Sequence, residues 1–88
     1  MRTVRRSEFF EAAARRIQAD QRRFDEAIES VEWSIAADPF IWPLVPGTPF
    51  RLAITRPVPG VPSLRIAFTV DDEAYCTLHS VAVRSTFD

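Results

Sequence analysis

Residues 63–84 read SLRIAFTVDDEAYCTLHSVAVR, and the alternation in this stretch decides the fold. Leu64, Ile66, Phe68 and Val70, then Ala74, Cys76, Leu78, Ser80 and Ala82, share one parity. Arg65, Ala67 and Thr69, then Tyr75, Thr77, His79, Val81 and Val83, share the other. Side chains along a strand alternate between two faces, so the first set is expected to meet a core and the second to lie wholly or partly open. The acidic run Asp71, Asp72 and Glu73 is the natural turn. Antiparallel pairing about it predicts Ile66 opposite Leu78, Phe68 opposite Cys76 and, on the open face, Arg65 opposite His79. A slip by one residue would bury Arg65 and expose Ile66, which favours this register.

Working outward from the hairpin, Phe50–Arg56 alternates as well, and the reading places Phe50, Leu52 and Ile54 inward with Arg51, Ala53 and Thr55 outward. All seven prolines and both glycines fall between Pro39 and Pro62. Pro46-Gly47 and Pro59-Gly60 are the expected tight turns. The run FIWPLVPGTP, residues 40–49, is too apolar for a solvated loop, so Phe40, Trp42 and Leu44 are expected to cover one end of the core. Ser7–Asp38 holds neither glycine nor proline, and Phe10, Ala14, Ile17, Phe24, Ile28, Val31 and Ile35 recur at helical spacing. One helix of that length would run ~48 Å, against a radius of gyration of ~12 Å for a chain of this size. Two antiparallel helices, 8–18 and 21–37, capped by Ser7 and Asp20, are therefore expected after a first strand at 1–6. The order β-α-α-β-β-β, with one apolar sheet face and one apolar helix stripe, predicts an α+β fold of two layers, a helical hairpin packed on an antiparallel-rich sheet.

At 88 residues the chain has room for one domain, residues 1–88, with one core. Charged residues make up 26% and apolar residues 47%, as in ordinary globular proteins. No apolar run approaches the ~20 residues that span a bilayer, and MRTVRRSEFF lacks the apolar segment of a secretion signal, so a cytoplasmic protein is expected. One cysteine and one histidine do not supply a set of soft metal ligands, so no metal or other cofactor is expected, and Cys76 reads as a small core residue. All eleven basic residues are arginine, the net charge is −1, and from Pro39 to Val70 the only charges are Arg51, Arg56 and Arg65. A local positive face on a nearly neutral molecule follows.

The order of elements, the helix ending in Asp38-Pro39, the strand starting at Phe50-Arg51, and the hairpin Leu64-Arg65-Ile66-x-Phe68-x-Val70-Asp71-Asp72-Glu73 followed by Val81-x-Val83-Arg84 together resemble the RelE/ParE superfamily of bacterial toxins. The resemblance covers nearly the whole chain. It implies a toxin of a toxin–antitoxin pair, partnered by a cognate antitoxin, that either cuts messenger RNA on the ribosome or, in the other branch, inhibits DNA gyrase without enzymatic activity; a relative kept only for antitoxin binding is a third possibility. In the nuclease branch it implies that Arg65 and Arg84 contact the scissile phosphate region and that Arg51 and Arg56 stand where basic residues bind RNA. Residues 82–88, AVRSTFD, have no tyrosine or histidine where many nuclease relatives place one, and the sequence pI is near 5.8 where that branch is usually basic.

RNA cleavage by the 2′-hydroxyl needs a base, an acid and cations around the phosphorane. Arginine suits the last role because its planar fork donates paired hydrogen bonds to phosphate oxygens and stays charged. Arg65 interrupts an apolar strand on the open face, and the expected register puts it near Arg51. A solvent-facing arginine on a half-buried strand is also ordinary. His79 is the only side chain whose ordinary pKa lies near neutrality, which makes it the candidate base, or else a satisfied structural histidine. Arg84 has the parity of Ala82, so it reaches the face of Arg65 only through a bulge or the strand's end. Tyr75 beside the turn, the pairs Arg15-Arg16 and Arg22-Arg23, and Trp33 and Trp42 read more simply as packing and solvated helix surface.

Overall fold

The computed structural model describes residues 1–84. Strand β1, Thr3–Arg6, leads through helices α1, Glu8–Arg15, and α2, Gln21–Ala37, to a single 3₁₀ turn at Pro39–Ile41. Strands β2, Phe50–Ile54, β3, Leu64–Val70, and β4, Tyr75–Val83, complete the chain. The sheet has four strands in the order β1-β4-β3-β2. β1 runs parallel to β4, and the other two neighbouring pairs are antiparallel. The radius of gyration is 12.4 Å, as a two-layer α+β molecule of this length requires. No helix among the described residues is long and apolar enough to cross a membrane.

The helices form where local chemistry starts them. The Ser7 hydroxyl accepts from the Phe10 N–H at 3.1 Å, and the Asp20 carboxylate accepts from the Arg23 N–H at 3.1 Å. Each satisfies one of the orphan amides of a first turn. α1 ends three residues before the expected Gln18. Its last turn tightens, with Arg16 N–H donating to Ala13 and Ile17 N–H to Ala14, while Asp20 N–H is drawn to the Gly60 carbonyl at 3.0 Å. The stripe of Phe10, Phe24, Ile28, Val31 and Ile35 is buried against Leu64, Ile66, Phe68, Cys76, Leu78 and Val81. Each such side chain contributes about 1.5–3 kcal/mol when taken from water. Cys76 is buried and unpaired, and burial pushes its thiol up, so it packs as a small hydrophobe.

The hairpin departs from the expected register in two places. The Asp72 carboxylate accepts from the N–H groups of Ala74 and Tyr75 at 2.7 and 2.8 Å, which draws Ala74 into the turn. Val70 then faces Cys76, and Phe68 faces Leu78, where the sequence reading put Phe68 opposite Cys76. A shift of two residues keeps every side chain on its face. Further along, β4 carries a bulge: Phe68 pairs with Leu78 but Ala67 pairs with Ser80, leaving His79 extra. Beyond it Ile66 faces Val81 and Arg65 faces Ala82, so Arg65 is not opposite His79. The parity of β4 flips there, and Val81 is buried while Ser80 and Ala82 are exposed, the reverse of the expectation.

β2 also presents the opposite face from the one expected. Ala53 is fully buried and Thr55 is 6% exposed, whereas Phe50, Leu52 and Ile54 are only half-buried. Their partners confirm it: Arg51 pairs with Phe68 and Ala53 with Ile66 on the helix side, while Ile54 pairs with Arg65 on the other. The polar inward residues are satisfied locally. The Thr55 hydroxyl accepts from Leu64 N–H at 2.8 Å, and the Arg51 guanidinium donates to the Trp42 carbonyl at 2.7 Å. Of the apolar loop, Trp42 packs on the core, but Phe40 and Leu44 are exposed, because this segment follows the outer edge of β2, with Leu52 N–H donating to Pro43 and Val45 N–H to Phe50. At the other edge, Arg6 lies on the helix-facing side of β1 and grips Glu32 of α2 through two bonds of 3.0 and 2.7 Å, which holds that guanidinium above its ordinary value. An inward charge on an edge strand also discourages pairing with a second chain.

Gly47 and Gly60 both have positive φ, 76° and 87°. A Cβ at Gly47 would meet nothing, whereas at Gly60 it would come within 3.0 Å of Asp20 Cβ, at the cap of α2. Gly47→Ala is expected to cost about 1–2 kcal/mol from backbone strain alone, and Gly60→Ala distinctly more, measured by urea unfolding. Equal losses would mean the Gly60 turn does not press on α2. Replacing Glu32 by Gln is expected to lower stability by about 1 kcal/mol in the same assay.

Candidate functional site

One face of the sheet packs on the helices; the other carries the polar chemistry. Residues paired directly across strands share a face, so Thr3 and Arg5 of β1, Thr77 of β4, Thr69, Ala67 and Arg65 of β3, and Phe50, Leu52 and Ile54 of β2 lie together. The bulge adds His79 and Ser80 consecutively to this face. It also turns Ala82 and Arg84 toward it: the Arg84 N–H donates to the Ser63 carbonyl at 2.8 Å, which sets Arg84 beside Ser63 and diagonal to Arg65. Arg65 is half-buried and Arg84 exposed. The bulge that the parity of Arg84 calls for is thus present.

Around His79 the contacts are specific. Its Nε2 lies 2.8 Å from Thr69 Oγ1, and its ring meets Phe50 edge to face at 5.3 Å. Thr69 Oγ1 donates to Asp71 Oδ1 at 2.7 Å, and Thr77 Oγ1 donates to Asp71 Oδ2 at 2.5 Å. Arg5 reaches the same carboxylate at 3.3 Å and lies over the Tyr75 ring at 4.3 Å. Burial, the largest single influence, pushes the Asp71 carboxyl up, but the hydrogen bonds from Thr77, Thr69 and Arg5 together outweigh it and hold the group below its ordinary value. A hydrogen-bonded row therefore runs across the outer face from the His79 imidazole through Thr69 to the Asp71 carboxylate.

The five candidate residues divide. Arg65, Arg84 and His79 share the outer face. Arg51 does not join them, since it lies on the helix side, bonded to Trp42 and stacked over Phe40 at 5.0 Å. Arg56 lies past the end of β2 and, with Arg23, lines a groove of about 420 Å³ between α2 and that edge. The groove holds the cations Arg23 and Arg56 and the acid Glu26, which pairs with Arg22 at 3.5 Å. Ser30, Ser34 and Thr55 also line it, and His79, Arg65 and Arg84 do not, so the groove is separate from the outer face. Among the described residues, no group of three or more His, Cys, Asp or Glu side chains could hold a metal ion.

Sequence reasoning passed over Thr69, Thr77, Asp71 and Arg5. Asp71 looked like a turn residue only. The available signal was the Thr69-x-Asp71 spacing with a second threonine on the facing strand, which places two hydroxyls beside one carboxylate. Compared with protein-family models, with curated proteins and with solved structures, the chain matches none.

Because the folded pKa of Asp71 lies below its unfolded one, its stabilisation is complete above the ordinary carboxylate value of about 3.9 and disappears as pH falls through the folded value. Asp71→Asn is therefore expected to be less stable than wild type at neutral pH, with the gap closing in acid. Urea midpoints followed from neutral pH to about pH 2 test this; a gap independent of pH would mean the carboxylate charge is not what matters.

Proposed function

We propose that this protein is a RelE/ParE-like toxin of a bacterial toxin–antitoxin pair, acting in the cytoplasm as a ribosome-dependent messenger-RNA endonuclease. The observation that carries the reading is the β4 bulge, which gathers His79, Arg65 and Arg84 on one outer sheet face. In this reading Arg65 and Arg84 hold the phosphate and offset the charge of the phosphorane. His79 takes the proton of the attacking 2′-hydroxyl as its oxygen bonds to phosphorus; the O–P bond to the 5′ oxygen breaks, that oxygen takes a proton from solvent water, and the products are a 2′,3′-cyclic phosphate and a 5′-hydroxyl. The reaction calls on no metal or organic cofactor. The cognate antitoxin is proposed to dock as a helix or added strand, and the outer edge of β2 past Ile54, beside the α2 groove, offers it a place.

A second reading rests on Phe50, Leu52 and Ile54, which make half of the outer face apolar where a phosphate backbone would want cations. Such a strip suits a protein surface, and on this reading the chain inhibits DNA gyrase as a non-enzymatic binder.

Induced expression of wild type, Arg65→Ala and His79→Ala in a bacterial host, with growth and messenger-RNA 5′ ends followed together, separates the two. The nuclease reading expects arrest with new in-frame cuts in the wild type, and cleavage lowered ~100-fold or more in either variant. Arrest without cuts, accompanied by loss of supercoiling activity, would overturn it in favour of the binder. No arrest in any case would point to an inactive relative.

A further inference from the structure

The donors and acceptors around Asp71 determine more than its own charge. The carboxylate lies below its ordinary titration range, so at neutral pH it holds no proton to give, and every neighbour that bonds to it must donate. Thr69 has one hydroxyl proton, and at 2.7 Å from Asp71 Oδ1 that proton is committed. Thr77 spends its own proton on the other oxygen, Oδ2. What Thr69 Oγ1 retains are lone pairs, so toward His79 Nε2, 2.8 Å away, it can only accept. Nε2 must then carry the hydrogen, and in the neutral imidazole Nδ1 becomes the acceptor.

We propose that Asp71 is a positioning residue that acts through Thr69 to lock the single histidine of this chain in its Nε2–H tautomer, so that Nδ1 is the atom that receives the substrate's proton. The inference rests on His79 as the base of the proposed cleavage. The step balances simply: the 2′-hydroxyl proton moves to Nδ1, the ring becomes an imidazolium with hydrogens on both nitrogens, and Asp71 stays ionised. The arrangement has the logic of a hydrolase triad with a threonine inserted between acid and histidine. Phe50 adds a steric element, because its edge-to-face contact restrains the ring from rotating away from Thr69. Arg5 pairs with the same carboxylate, and its guanidinium is itself seated over the Tyr75 ring.

The test reads the tautomer directly. With one histidine in the chain, the ring ¹⁵N resonances of uniformly labelled protein belong to His79 without assignment by mutation. Above the pH at which the ring loses its charge, the wild type is expected to show a pyrrole-type Nε2 and a pyridine-type Nδ1. Thr69→Val, nearly isosteric, and Asp71→Ala, which removes the acceptor at the far end, are each expected to shift both resonances toward the average of exchanging tautomers. Thr69→Ser is expected to restore them. In the cleavage assay Thr69→Val lowers the rate about tenfold or more at unchanged KM. A wild-type Nδ1–H tautomer, or ¹⁵N shifts the same in wild type and both disrupting variants, overturns the proposal whether or not RNA is cut. A locked tautomer in a protein that cuts no RNA leaves the positioning of His79 standing and removes the nuclease reading on its own.

Discussion

Strand β4 lies between two neighbours that make different demands on it. On one side β1 runs parallel, and on the other β3 runs antiparallel. From Tyr75 to Leu78 it satisfies both, with Cys76 and Leu78 turned toward the helices. One extra residue at His79 then breaks the alternation, and from there Val81 supplies the core while Ser80 and Ala82 turn out. The core needs this break: without it Ser80 and Ala82 would lie under the helices and Val81 would face water. The same break puts His79 and Arg84 on the outer face with Arg65, so packing on one side of the sheet arranges the chemistry on the other.

The outer face that results has two unlike halves. Toward β1 it is polar and ordered, with Asp71 collecting two threonine hydroxyls and the Arg5 guanidinium. Toward β2 it is apolar, formed by Phe50, Leu52 and Ile54. His79 stands on the boundary, bonded to Thr69 and touching Phe50. An imidazole held between an apolar ring and a hydrogen-bonded row is restrained in orientation from both sides.

The edges of the sheet are managed by different means. β1 carries Arg6 inward to Glu32, so an unpaired strand edge comes with a charge committed to the helix layer. β2 is accompanied by the Trp42–Val45 segment, which supplies hydrogen bonds to its first half and stops short of Ile54. That segment explains why Arg51 faces the helix side: the Trp42 carbonyl and the Phe40 ring lie there and give its charge a place. Arg65, on the neighbouring strand and paired with Ile54, lies on the opposite face.

Local chemistry in the chain was enough to determine the element order, the capping residues Ser7 and Asp20, the break between the helices, the turns at Gly47 and Gly60, and the apolar stripe from Phe10 to Ile35. Each of these depends on residues a few positions apart, whose hydrogen bonds and periodicity are written consecutively. The two-residue shift in the hairpin was legible in principle, since Asp72 is followed by two amides that it can cap. Three features were decided only in the folded molecule: the bulge at His79, the inward face of β2, and the row from His79 to Asp71. Alternation states that two faces exist, but it cannot say which face of an edge strand a helix will cover, nor where a strand must gain a residue to keep its core side filled. Those choices follow from packing between segments distant in sequence, and the reach of Thr69 from Asp71 to His79 exists only once that packing is in place.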